Sequence, residues 1–157
     1  MASKIAFLVL AVCAAARAQS SSGYLFFAPG GVSNSGPTEA TYHGGGGVDA
    51  HLVKGLGLNL ELGILGPKEY FSDFVGVFSA GGTYYLLRGK EHRVEPFVAG
   101  GYTLVFREGH ANLGYFGGGV NVWPLRRVGM RLEFRDHLYS HDPMVHFWGF
   151  RMGVAFR

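Results

Sequence analysis

The sequence predicts an all-β fold, an eight-stranded antiparallel up-and-down barrel. Three observations carry that prediction. The chain breaks into eight short runs of alternating apolar and polar residues. It holds 26 glycines with no helical period. Its strand charges fall on the same faces as many of those glycines.

Composition narrows the alternatives. A length of 157 residues suits one domain. Hydrophobic residues at 48% and aromatics at 15% exclude a disordered chain, because enough apolar surface is present to offset the entropy of ordering. The glycines lack the three-residue period of collagen, and each would cost a helix about 1 kcal/mol relative to alanine. One cysteine excludes a disulfide scaffold.

The first 18 residues are expected to be a signal peptide. Lys4 supplies a positive start, residues 5–15 an apolar run, and Ala16-Arg17-Ala18 a small-residue cleavage site. The run falls well short of the ~20 residues of a spanning helix. Cys13 follows the branched Val12 and is itself followed by apolar residues, which disfavours a lipoprotein signal. The mature domain is therefore expected to be 19–157. Losing Lys4 and Arg17 leaves 12 basic against 11 acidic residues, so the apparent basicity falls to about +1. Nucleic-acid binding loses its main support, and no cysteine remains.

The strand candidates are 22–30, 40–53, 57–65, 73–87, 94–107, 113–123, 128–139 and 145–157. The third is the cleanest, with Leu56, Leu58, Leu60, Leu62 and Ile64 on one face and Asn59, Glu61 and Gly63 on the other. The fourth carries apolar residues on both faces. The sixth sets Phe116, Val120 and Val122 against Tyr115, Gly117, Gly119 and Asn121. In the seventh, Val128, Met130, Leu132 and Phe134 alternate with Gly129, Arg131, Glu133 and Arg135. The eighth places Trp148, Phe150, Met152, Val154 and Phe156 opposite Gly149, Arg151, Gly153 and Arg157.

Alternation alone fits either a soluble barrel with an apolar core or a membrane barrel with a polar lumen. Three features favour the membrane barrel. Mature-chain lysine occurs only at Lys54, Lys68 and Lys90, all in expected turns, whereas soluble β proteins place lysine on exposed strands. The strand charges are Asp49, Glu61, Glu95, Arg107, Arg131, Glu133, Arg135 and Arg151, and arginine suits enclosed ion pairs. Gly45, Gly47, Gly63, Gly117, Gly119, Gly149 and Gly153 share their face, making room in a narrow lumen. Aromatics are expected in two belts: Tyr24, Tyr84, Tyr85, Phe97, Trp123 and Phe156 at one end, and Phe27, Tyr42, Phe71, Phe74, Phe106, Tyr115, Phe116, Tyr139 and Phe147 at the other.

Five stretches then carry a family resemblance: Gly44-Gly45-Gly46-Gly47-Val48-Asp49, residues 56–63, residues 95–102, residues 130–137 and the closing residues 150–156. With these the mature chain resembles the small outer-membrane β-barrel families, of the kind seen in the transmembrane domain of outer-membrane protein A. The resemblance implies outer-membrane location in a Gram-negative cell, lipid contact and a monomer. It also implies recognition of the last strand by the barrel assembly machinery. Phe156 is the aromatic residue for that role, although Arg157 follows it.

The expected role is a structural scaffold, not an enzyme, with no cofactor and no metal. Its lumen is expected to be filled by Asp49, Glu61, Arg131, Glu133, Arg135 and Arg151. A last hairpin centred near Asp142 places Glu133 opposite Arg151 and Arg135 opposite Gly149, and Asp49 and Glu61 would be near neighbours across the Lys54 turn. Two close carboxylates in a lumen need a cation, which Arg131 or Arg135 can supply. A porin-like gated pore is the alternative use of such a lumen. Two other classes stand as alternatives: a lipid-modifying enzyme resembling the lipid A deacylases, and a soluble periplasmic barrel binding a small hydrophobic ligand. The enzyme would draw on His137, Ser140, His141 and Asp142, but His137 and Ser140 are three apart and start on opposite faces. The glycine runs precede no helix, so they form no phosphate loop. Amino-terminal sequencing of the exported protein should begin at Gln19; a start at Met1 or Cys13 would contradict the signal-peptide reading.

Overall fold

The computed structural model describes residues 21–34, 36–52, 55–69, 73–87, 92–140 and 144–157. The expected signal peptide, Lys54, Lys90, Phe71, His141 and Asp142 lie outside the described residues.

Eight strands follow in chain order: β1 (Ser21–Ser33), β2 (Glu39–His51), β3 (Leu56–Pro67), β4 (Val75–Tyr85), β5 (Val94–Phe106), β6 (His110–Val122), β7 (Val128–Tyr139) and β8 (Val145–Phe156). Each pairs antiparallel with its sequence neighbour, and β8 closes on β1. The closed barrel leaves no free sheet edge. Following lumenal partners round the wall from Ser22 through Asp49, Asn59, Gly81, Gly101, Tyr115, His137 and Phe147 returns to β1 at Val32. That stagger of ten residues tilts the strands and sets the narrow bore of the barrel.

The faces are inverted relative to a protein in water. Leu25, Leu62 and Phe150 on the outside are 60–63% exposed, whereas Asp49 and Arg135 inside are 0% and 1% exposed. The third, sixth, seventh and eighth runs hold the faces their alternation predicts. The two-faced fourth run resolves with Val77, Ser79, Thr83 and Tyr85 buried and Phe78 and Tyr84 exposed. A soluble barrel for a hydrophobic ligand does not fit, because the interior holds ionised side chains and the exterior is apolar.

Three expectations change. β1 runs on to Ser33, three residues past the expected strand end at Gly30. Pro29 pairs with Tyr42 of β2, and the ladder to β8 skips Ala28 and Pro29 before resuming at Gly30. Proline lacks the donor that the β8 side would use. Arg107 falls just past β5, exposed and 3.8 Å from Asp73, not in the lumen. The aromatic belts are thinner than expected, since Tyr24, Tyr85, Phe97, Trp123 and Tyr115 are buried inside. Tyr84, Phe156, Phe27, Phe106 and Phe116 do face outward.

Lumenal glycine is a space requirement. A Cβ at Gly47 would sit 2.6 Å from the Tyr24 hydroxyl and 2.7 Å from the Leu60 carbonyl. One at Gly119 would meet the Phe97 ring at 2.9 Å. Gly47→Val should therefore destabilise the barrel by about 1–3 kcal/mol through overpacking. The readout is the temperature at which the compact, fast-migrating band is lost on a denaturing gel; an unchanged temperature would show that Tyr24 can move aside.

Candidate functional site

The alternation that puts leucine outside puts Asp49 on β2, Glu61 on β3, Arg131, Glu133 and Arg135 on β7, and Arg151 on β8 into the lumen. Three positive and three negative side chains meet there, each 0–3% exposed. Glu133 lies opposite Arg151 in the ladder, whereas Arg135 lies opposite Gly149 and Arg131 opposite Gly153, so these two arginines extend over positions without a side chain.

Glu133 joins all three arginines. Arg131 Nε reaches its Oε2 at 3.1 Å, Arg135 its Oε1 at 2.6 Å, and Arg151 Nη1 the same oxygen at 3.4 Å. Glu61 takes Arg151 Nη2 at 2.6 Å and Arg135 Nη1 at 3.4 Å. Asp49 takes Arg131 Nη1 at 2.8 Å. Asp49 and Glu61 are not direct partners: the ladder sets Asp49 opposite Asn59 and Glu61 opposite Gly47. Each carboxylate thus has its own guanidinium.

Neutral groups extend the network. Asn59 Nδ2 donates to Asp49 Oδ1 at 2.8 Å and to the Tyr24 hydroxyl at 2.7 Å, and Tyr24 donates onward to Glu61 Oε2 at 2.8 Å. Tyr85 donates to Asp49 Oδ2 at 2.8 Å and Thr83 to Oδ1 at 3.2 Å. The guanidiniums lie over rings: Arg131 over Phe97 at 4.0 Å and Tyr24 at 4.4 Å, Arg135 over Tyr115 at 4.4 Å, and Arg151 over Phe26 at 3.6 Å. Lumenal aromatics thus serve as low-dielectric walls with electron-rich faces for arginine.

Paired side chains continue toward both ends of the lumen. At the end where the chain terminates, Arg157 Nη1 pairs with Glu95 at 3.2 Å and its guanidinium covers Trp123, whose ring nitrogen donates to Glu95 at 2.7 Å. At the opposite end, His137 Nδ1 and Thr103 share a 3.0 Å hydrogen bond, with Ser79 on the same hydroxyl at 2.9 Å. A cavity of about 20 Å³ there, lined by His43, Arg135, His137 and Arg151 among others, has room for one water.

The proposed catalytic grouping is not assembled among the described residues. His137 is buried inside, engaged with Thr103, while Ser140 is exposed beyond β7. Sequence reasoning missed a different pair. Asp136, on the outer face of β7, holds His146 Nδ1 at 2.7 Å and is itself 8% exposed. The signal was its even-numbered position, which places a carboxylate on the apolar face. Among the described residues, no group of three or more metal-ligating side chains occurs.

No protein-family model matches the chain, and no curated protein matches it. Solved structures do. Neisserial surface protein A superposes with a TM-score of 0.66 at 12% identity, over 87% of this chain and 96% of that one. The N-terminal β-barrel domain of OprF from Pseudomonas aeruginosa gives 0.62 at 15% identity, over 88% and 97%. A de novo designed transmembrane β-barrel gives 0.57 at 14% identity, over 86% and 93%. At these identities the likeness is one of architecture, and a designed chain shares it without an evolved function. The chain has the fold of the small eight-stranded outer-membrane β-barrels.

Proposed function

We propose that the protein is an integral β-barrel of the bacterial outer membrane, a monomeric scaffold whose lumen is shut by a salt-bridged plug. The observation that carries this reading is the balanced set of six lumenal charges, each 0–3% exposed and tied across the bore to residues on other strands. A conducting pore would leave such groups in contact with a water column. Outer-membrane lipids are the partner of the apolar wall. Phe156, which faces outward on the last strand at 45% exposure, is the residue we assign to recognition by the assembly machinery. The separation of His137 from Ser140 speaks against the lipid-modifying reading that used them.

Four measurements test this. The protein should fractionate with outer membranes and resist carbonate extraction; release by carbonate would refute membrane integration. In planar bilayers the wild type should show no steady conductance steps, and reproducible steps would replace the plug with a pore. Glu133→Ala leaves three guanidiniums facing two carboxylates and should cost about 3–5 kcal/mol. The double variant Glu133→Ala with Arg135→Ala restores the balance, so it should lose less than the sum of the single changes. Strict additivity would show that the lattice does not act as a unit. Tyr24→Phe removes one donor to Glu61 and should cost about 1–3 kcal/mol.

A further inference from the structure

The lumenal charges cancel, and the charges left outside them are unevenly divided between the two ends of the barrel. At the end where β1 begins and β8 finishes, Arg93, Arg126 and Arg127 are exposed. The described carboxylate there, Glu95, is buried and already held by Arg157 and Trp123. At the opposite end, Glu39, Glu69, Asp73 and Glu108 outnumber Lys68 and Arg107. A chain that is nearly neutral after its expected cleavage is therefore positive at one rim and negative at the other.

The positive rim is also apolar. Leu125, 64% exposed, directly precedes Arg126 and Arg127 in the connection from β6 to β7. In the neighbouring connection from β4 to β5, Leu86 and Leu87 are 60% and 51% exposed, and Arg93 stands beside Val94 at 48%. Water favours neither arrangement. A bilayer interface favours both, because the apolar side chain enters the acyl region while the guanidinium stays at phosphate depth. An acidic protein or wall polymer would match the arginines and leave the leucines in water.

We propose that this rim binds anionic phospholipid headgroups, with Arg93, Arg126 and Arg127 as the phosphate-facing residues and Leu86, Leu87 and Leu125 as the anchors beneath them. Guanidinium pairs with phosphate through two parallel donors, which lysine cannot offer. The inference rests on the membrane reading above and specifies which lipid that reading contacts at this end. Recruitment of anionic lipid would fix the height of the barrel and hold the rim against the leaflet.

The test is reconstitution into vesicles of phosphatidylcholine alone and of phosphatidylcholine with one fifth phosphatidylglycerol. The midpoint for loss of the compact gel band should rise by about 3 °C or more in the anionic vesicles. The rise should vanish in 1 M salt. It should also vanish in the triple variant Arg93→Gln, Arg126→Gln, Arg127→Gln, whose midpoint in phosphatidylcholine alone should match the wild type. Equal midpoints in both vesicles, or a shift retained by the triple variant, would overturn the proposal. Arginine-dependent sedimentation with purified peptidoglycan and no lipid effect would overturn it in favour of a wall contact. Failure to fold in either vesicle would remove the membrane reading and this inference with it.

Discussion

An eight-stranded barrel has an interior that its own side chains must fill, and in this chain the filling turns on Glu133. Its two carboxylate oxygens receive Arg131, Arg135 and Arg151, from positions on β7 and β8. Those arginines then reach Asp49 on β2 and Glu61 on β3, so one residue couples four strands across the bore. The glycines opposite Glu133 and Arg135, at Gly119, Gly117 and Gly149, follow from the same need, because an extended guanidinium occupies the volume a second side chain would take. The buried tyrosines follow too, since a charge removed from water must find every donor or ring face within reach.

Such a lattice is not an efficient way to gain stability. Moving ion pairs out of water costs several kcal/mol per ion, and a packed apolar interior of the same volume would often serve as well. In a membrane barrel that substitution has a further consequence. If both faces of every strand were apolar, the alternation that separates lumen from lipid would disappear, and a one-residue slip would go unpunished. The charges make the strands that carry them two-faced: a slip on β7 would turn Arg131, Glu133 and Arg135 toward lipid at once, where each costs several kcal/mol near the midplane. A buried charge lattice thus penalises a register slip as well as filling the bore.

The fold was legible because its signals are local. The alternation in 56–64, 128–135 and 148–157 fixes which face is which. The expected centre of the last hairpin fixes the partner of Glu133, and the observed ladder has the same pairing with Arg151. What failed to show was non-local or ambiguous in type. Tyr24, Tyr85, Phe97 and Trp123 looked like interface anchors because aromatic residues suit membrane rims. Their burial depends on having arginines or carboxylates from distant strands as neighbours, which no window of sequence contains. Asp49 and Glu61, by contrast, are near neighbours across their hairpin as expected, set diagonally because the register places Asn59 and Gly47 opposite them. Asp136 was overlooked because its carboxylate sits on the face that alternation marks as apolar, and only the nearby His146 of β8 makes that placement tolerable.

The likeness to a designed barrel bears on where biological specificity resides. A wall of alternating residues and a filled lumen are what a chain needs to close eight strands in a bilayer, and the architecture is shared at 12–15% identity by natural barrels and by a designed one. Whatever distinguishes this chain must then come from features the fold does not require. The neutral lattice screens itself and projects little field. The rims do not, since one exposes Arg93, Arg126 and Arg127 and the other a surplus of carboxylates. Fields at a low-dielectric boundary extend about a Debye length, about 8 Å at physiological salt. That is far enough to select the headgroups beside the wall and too short to act through it. The two rims are therefore independent surfaces, joined mechanically by the barrel and kept electrically separate by its balanced core.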